Sequence, residues 1–176
     1  MIDQGYEGVE ELLGSYHQDF NELRKHCLTC HGLDRSADTL FTRSYYSPSV
    51  QTQHVFKNIV SGGLLKLAIC LRVNLYQGAL DPAVLLPMEY VSIYDDIDLI
   101  VKPVSIKEVV DKIIHADTVR KGAFPRNWEG QPKMMTQFKG KQRNRAWTMD
   151  MSVEYFSEAV LTIIDQADEK LKLGDV

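Results

Sequence analysis

Cys27, Cys30 and His31 fall in the stretch HCLTCHG and match C-x-x-C-H, the spacing by which c-type haem is attached. On a helix the same residues would lie near one another, at positions i, i+3 and i+4, and could bind a metal. Zinc usually needs four ligands. The fourth ligand is left open among three histidines: His17, His26 and His115. In a third interpretation Cys27 belongs to the core, and His31 interacts with the negative end of a helix dipole.

The elements around the motif favour this third interpretation. Apolar residues recur at steps of three and four from Val9 to Cys27, which predicts a helix from about residue 6 to 31 that ends at Gly32. The motif then occupies the last helical turn. The N-terminal stretch MIDQGYEGVEELL lacks the basic region of a secretory leader, and haem attachment to this motif needs export. We therefore expect no haem, no bound metal and no other cofactor.

Composition predicts one soluble domain over residues 1–176. The chain has 44% hydrophobic residues, a formal net charge of −4 and an odd number of cysteines, three, which fits free thiols in a reducing cytoplasm. Its longest apolar stretch, 59–75, is interrupted by Lys66 and Arg72. We therefore interpret this stretch as a buried helix rather than a membrane span.

Four helices are expected in all. Residues 33–47 are rich in turn formers, and Ser47-Pro48 predicts the start of a second helix. That helix is apolar almost all round between residues 59 and 75, as is typical of a central helix surrounded by others. Gly62-Gly63 in its interior predicts a kink or the close approach of another backbone. The segment 88–101 is compatible with either a strand or a helix.

The second half of the chain contains clearer boundaries. Ser105-Ile106-Lys107-Glu108 matches a capping box and predicts a helix from 106 to about 117. The composition of residues 122–132 is typical of a loop, and alternating residues on both sides of Gly140 predict a hairpin. A last helix should begin after Ser152, with Leu171 among its inward residues. The predicted fold is mainly α: a four-helix-type bundle with a small β-hairpin near 132–151.

The stretch IKEVVDKIIHAD, residues 106–117, resembles the histidine helix of the HEPN superfamily, helical bundles of which many members cleave or bind RNA. The resemblance covers about a dozen residues at the level of motif. It implies that His115 acts as a general acid or base, but Lys107 stands where the family has arginine. Lysine lacks the planar fork that grips a phosphate bidentately. Because the arginine of the family motif is replaced by Lys107, we predict that ribonuclease chemistry has been lost.

Two charged surfaces are candidates for binding a partner. The hairpin carries basic residues with a tryptophan nearby: Lys139, Lys141, Arg143, Arg145 and Trp147. The second surface is an acidic turn formed by Asp95, Asp96 and Asp98. Charge on a hairpin can also serve only to prevent edge-to-edge aggregation, and acidic turns are commonly just solvated.

These features lead to two hypotheses. The preferred one is a non-enzymatic cytoplasmic protein that binds another protein. In size, acidity and absence of motifs the chain resembles bacterial immunity proteins, which neutralise a cognate toxin, although no particular residue carries that resemblance. The alternative is a HEPN-like ribonuclease or RNA-binding protein that uses His115, Lys107 and the basic hairpin.

Overall fold

A computed structural model describes residues 19–40, 45–87, 90–95, 103–128 and 131–174. Its elements in chain order are helix α1 (Phe20–Asp38), helix α2 (Val50–Tyr76), strands β1 (Leu85–Leu86), β2 (Val91–Asp95) and β3 (Val104–Ser105), helix α3 (Ile106–Ile114), strands β4 (Thr118–Trp128), β5 (Gln131–Gln142) and β6 (Arg145–Met151), and helix α4 (Val153–Gly174).

The predicted mainly α bundle is wrong, because the fold is mixed α/β. Strands β1 and β3 form a two-stranded antiparallel sheet, and four antiparallel strands form a second sheet in the order β2-β6-β5-β4. The predicted hairpin is present as β5 and β6, but it lies at the centre of this second sheet. The strands on either side of it come from residues 91–95 and from the region predicted to be a loop.

Helix α1 begins after Asp19, whose side chain accepts a hydrogen bond from the Asn21 amide at 2.8 Å. The predicted end at Gly32 is wrong, since the helix continues to Asp38. Its last two turns bury Asp34 and Ala37. The contacts of this buried face outweigh the low helix propensity of glycine. Residues 1–18, where the predicted helix begins, lie outside the described residues.

Helix α2 is the longest element and is capped by Ser49, which accepts a hydrogen bond from the Thr52 amide. It packs against α1 and α3 through one face. The helix is long and apolar enough to cross a membrane, but the core helix of a soluble protein can be equally long and apolar. Within its most apolar stretch, 44% of the residues are buried inside the fold. The interior glycine Gly63 meets α1, where an added Cβ would lie 3.6 Å from the Cys30 sulfur.

The turn between β5 and β6 lies at Arg143 and Asn144, three residues beyond the glycine at the centre of the predicted hairpin. Both residues have positive φ, 49° and 65°. Two successive positive φ values are what a two-residue type I′ turn requires, because this turn matches the twist of the flanking strands. Asparagine tolerates this conformation well. The register of the central strands is therefore set by the turn.

The other two helices begin where the sequence predicts. Ser105 accepts a hydrogen bond from the Glu108 amide at the start of α3, as the capping box predicts, although α3 ends at Ile114. Helix α4 follows Ser152, whose hydroxyl accepts from the Tyr155 amide. The prediction that Leu171 points inward is wrong, because its side chain is 62% exposed. The core-facing side of the large sheet packs beneath the helices through four residues: Phe138, Trp147, Met149 and Met151.

Candidate functional site

The C-x-x-C-H motif lies in the middle of α1 rather than in its last turn. Cys27 and Cys30 are both buried in the hydrophobic core. Burial is the main cause that raises the pKa of each thiol to about 12. Both sulfurs are therefore protonated at neutral pH, and a thiol is a weaker nucleophile than a thiolate.

His31 points away from the two cysteines, towards α4. Its Nε2 atom lies 3.1 Å from the Glu158 carboxylate, so it pairs with a side chain and not with the end of a helix dipole. One turn further along α1, Arg35 donates a hydrogen bond to Glu154 at 2.6 Å. Arg24, near the start of α1, pairs with two carboxylates near the end of α4: Asp165 and Asp168. The motif histidine therefore belongs to a row of polar and charged side-chain contacts that joins two antiparallel helices.

In the described part of the chain, one group of side chains resembles a set of metal ligands: His31, Glu154 and Glu158. Their ligand atoms all lie within 4.8 Å of one another. However, Arg35 already neutralises Glu154, and Glu158 already pairs with the imidazole. The two carboxylates therefore have protein partners. The other candidate zinc ligand on α1, His26, has its pKa lowered by burial and by the nearby charge of Lys66.

The buried cysteines lead to a prediction about their reactivity. Thiol reagents such as DTNB react with the thiolate, so Cys27 and Cys30 should be labelled slowly in the native protein at neutral pH and rapidly after unfolding. The pKa of each thiol is raised above its ordinary value of 9.0, so the unfolded chain loses these protons first. The free energy of unfolding should therefore fall as the pH rises from 9.0 towards about 12. Rapid labelling of both residues in the native state would contradict the burial.

The structure does not bring the two candidate ribonuclease residues together. Lys107 lies in the first turn of α3, where its Nζ is 5.5 Å from the centre of the Tyr76 ring. His115 is the exposed residue that follows the last turn. The two residues are eight positions apart in the chain, which corresponds to about 12 Å along the helix axis. Between them Asp111 pairs with Arg72 at 3.6 Å rather than with either residue.

The basic residues of the hairpin are exposed but do not share one face. Lys139 and Lys141 lie on the outer face of the sheet, whereas Arg145 lies on the same face as the core residue Trp147. Arg143 belongs to the turn. The structure therefore shows a basic hairpin tip with charges on both faces.

Trp147, proposed as a surface residue from the sequence, is only 5% exposed. Its ring covers Gly140 on the neighbouring strand, where an added Cβ would come within 2.4 Å of it. The Nζ atom of Lys112 lies 4.5 Å from the centre of the same ring, and burial lowers the pKa of this lysine. Trp147 therefore joins the hairpin to α3 and is not accessible to a partner.

The acidic turn lies mostly outside the described residues. Asp95 is the last residue of β2, opposite Trp147, and its side chain is not described; Asp96 and Asp98 follow it in the undescribed stretch.

Within the sheet, a carboxylate that the sequence analysis did not single out is held in place by hydrogen bonds. Asp150 accepts hydrogen bonds from the Tyr94 hydroxyl at 2.9 Å and from the Gln137 amide at 3.0 Å. The strand register that joins these three residues is non-local, so no short motif indicates it.

The outward side of α2 is the feature that sequence reasoning missed. The helix was predicted to be surrounded by others, but among the described residues one face is left uncovered. This apolar face of α2 consists of five exposed residues that recur at helical spacing: Val55, Ile59, Leu65, Ile69 and Tyr76. Exposed Gly62 lies midway along it, with open space where a Cβ would stand. The signal in the sequence was a helix apolar on every side, with too few neighbouring helices to cover it.

The apolar face also borders a shallow hollow between α2 and α3. Its volume is 400 Å³, and it is lined mainly by apolar side chains that include Ile69, Val73 and Ile114. Helix α2 contains no acidic residue, and its charges are those of Lys57, Lys66 and Arg72. A partner surface at this face should therefore be apolar at its centre and acidic or neutral at its edge.

These elements define a mixed α/β protein with a four-stranded antiparallel sheet and a helix face that the described residues leave uncovered. No protein-family model, no curated protein and no solved structure matches the chain.

Proposed function

We propose that the protein acts by binding another protein, as a cytoplasmic immunity protein that neutralises a cognate bacterial toxin. The observation that supports this proposal is the apolar face of α2. Monomeric soluble proteins rarely expose a large contiguous apolar patch, and such patches commonly mark the contact with a partner. The five apolar side chains lie along one side of a long helix and include two i, i+4 pairs, Val55 with Ile59 and Leu65 with Ile69, as in a protein-binding helix.

The chemistry of the described residues also favours binding over catalysis. Two residues that act together in acid–base catalysis must both lie within hydrogen-bond reach of the reacting atoms. His115 is exposed at the end of α3, about 12 Å from Lys107 along the helix axis. The buried thiols are protonated, and the carboxylate of Asp150 is engaged by two neighbours. The acidic turn at Asp95, Asp96 and Asp98 stays a predicted additional contact.

A double substitution on the apolar face tests the proposal. Leu65→Glu with Ile69→Glu places two charges at the centre of the face, where both side chains are already about half exposed. We expect binding to the cognate toxin, which is to be sought among the products of the neighbouring genes, to weaken by about 2 kcal/mol or more, about thirtyfold, because central interface residues carry most of the affinity. Calorimetric titration and a growth-protection assay measure the effect.

The matched control is Leu173→Glu, which adds a charge at an exposed leucine near the end of α4. This variant should bind and protect like the parent protein, and all the variants should melt near the parent temperature, because exposed substitutions change stability little. Equal protection by the double variant and the control would show that the contact does not involve the apolar face. A specific RNA cut made by the parent protein but not by His115→Ala would favour the HEPN-like alternative instead.

A further inference from the structure

A second surface hollow lies between the N-terminal half of α2 and the strands β4 and β5. Its volume is 310 Å³, within the range of small-molecule sites. Nine residues line it: His54, Phe56, Lys57, Asn58, Val60, Ser61, Val119, Lys121 and Thr136. None of these side chains is acidic, and two are lysines. The hollow therefore offers hydrogen-bond donors and positive charge beside a small apolar wall.

Thr136 is the most informative of these residues. It is 1% exposed, and its Oγ1 atom has no hydrogen-bond partner in the described structure. Buried polar groups in native proteins are nearly always hydrogen-bonded, so an unpaired hydroxyl needs an explanation. Thr136 faces Lys121 directly across the β4–β5 ladder, on the side of the sheet that α2 covers. The Oγ1 atom is closed to solvent in this conformation, so a ligand in the hollow would accept the hydrogen bond that the protein leaves unmade after a small shift of the side chain.

The two lysines differ in how firmly they are held. Lys121 is largely buried and pairs with the carboxylate of Asp34 behind it. An ammonium group has three N–H donors, so this pair leaves others available to a ligand. Lys57 is exposed at the rim and pairs with no carboxylate of the described residues. A buried cation at the base and an exposed one at the rim can enclose one anionic group.

We propose that this hollow binds a small organic phosphate monoester, with its phosphate group between Lys57, Lys121 and the hydroxyl of Thr136. A phosphate group has three terminal oxygens and a charge near −2 at neutral pH, which suits two lysines and several neutral donors. The apolar side chains of Phe56 and Val119 would meet the organic part of the ligand. This site shares no lining residue with the apolar face of α2, and the proposal does not depend on the binding of a toxin.

Adenosine monophosphate and inorganic phosphate are the probes, with adenosine as the phosphate-free control. We expect at least one of the two phosphates to bind the full-length protein saturably in calorimetric titration, with a Kd of about 1 mM or below, and adenosine not to bind. Thr136→Val and Lys57→Gln should each weaken binding about tenfold, because each removes one donor to a charged acceptor. Lys141→Gln, on the outer face of the sheet, is the control and should bind like the parent.

Thr136→Val should also raise the melting temperature of the ligand-free protein, because valine keeps the shape of threonine and removes the unpaired hydroxyl. A variant that is more stable yet binds less tightly cannot have lost the ligand by unfolding. Failure of both phosphates to bind the parent protein would overturn the proposal. Equal affinity of the parent, Thr136→Val and Lys57→Gln would overturn it as well.

Discussion

Lys121→Met should lower the free energy of unfolding by about 3 kcal/mol or more, because it leaves the buried carboxylate of Asp34 without its cation. The side chains of Lys121 and Asp34 are only 12% and 6% exposed. Asp34 also accepts a hydrogen bond from the Glu154 amide at 3.1 Å, in the first turn of α4. One carboxylate thus connects α1, the strand β4 and the start of α4. Urea denaturation monitored by circular dichroism measures the loss.

A second substitution separates the cost of an unpaired charge from the loss of packing. In the double variant Lys121→Met with Asp34→Asn, no charge remains buried, and the amide oxygen can still accept from Glu154. We expect this double variant to be more stable than Lys121→Met alone, since replacing both charged partners is often nearly neutral. Lys141→Met, at an exposed lysine of β5, should change stability by less than about 0.5 kcal/mol. A similarly small effect of Lys121→Met would show that the pair behaves like an exposed ion pair.

Local signals in the sequence predicted the starts of α3 and α4 well, whereas α2 begins after Ser49, two residues beyond the predicted cap at Ser47. The capping box at Ser105 and the serine before α4 act through hydrogen bonds that span only three residues, so their sequence context contains the whole interaction. Gly32 failed as a helix end for a related reason. Its low helix propensity is a local effect of about 1 kcal/mol, whereas the burial of Asp34 and Ala37 beyond it depends on other parts of the chain.

The sheet was underestimated because strand pairing is non-local. Strand β2 pairs with β6, so Val91 lies opposite Met151, sixty residues further along. The stretch 122–132 contains Gly122 and Pro125 and has the composition of a loop, yet it forms most of β4. The register of β4 against β5 shifts between Phe124 and Trp128, around the proline, which has no N–H for the ladder. This irregularity in the strand pairing accommodates Pro125, one of the residues that suggested a loop.

The candidate sites were hard to predict for the same physical reason. The hollow beside Thr136 combines α2 with β4 and β5, and its donors come from three separate parts of the sequence. The apolar face of α2 was visible in the sequence as apolar residues on all sides of a helix. Only the positions of α1 and α3 show which of those sides stays uncovered.

Gly140→Ala should destabilise the protein by about 1–3 kcal/mol, the usual cost of overpacking a core. A Cβ on residue 140 would lie 2.4 Å from the Trp147 ring and 2.8 Å from the carbonyl oxygen of His115. The ring cannot stay where it is, and its displacement would also disturb the contact with Lys112. We therefore expect an altered near-ultraviolet circular dichroism spectrum together with a lower urea midpoint.

Gly62→Ala is the matched substitution, because it adds the same methyl group to an exposed glycine with nothing within 4 Å of the new atom. This glycine lies inside α2, where alanine is favoured over glycine by about 0.5–1 kcal/mol. The two variants should therefore shift the urea midpoint in opposite directions. If Gly140→Ala were as stable as the parent protein, the Trp147 ring would have room to move. The close packing of the hairpin against the end of α3 would then not hold Trp147 in place.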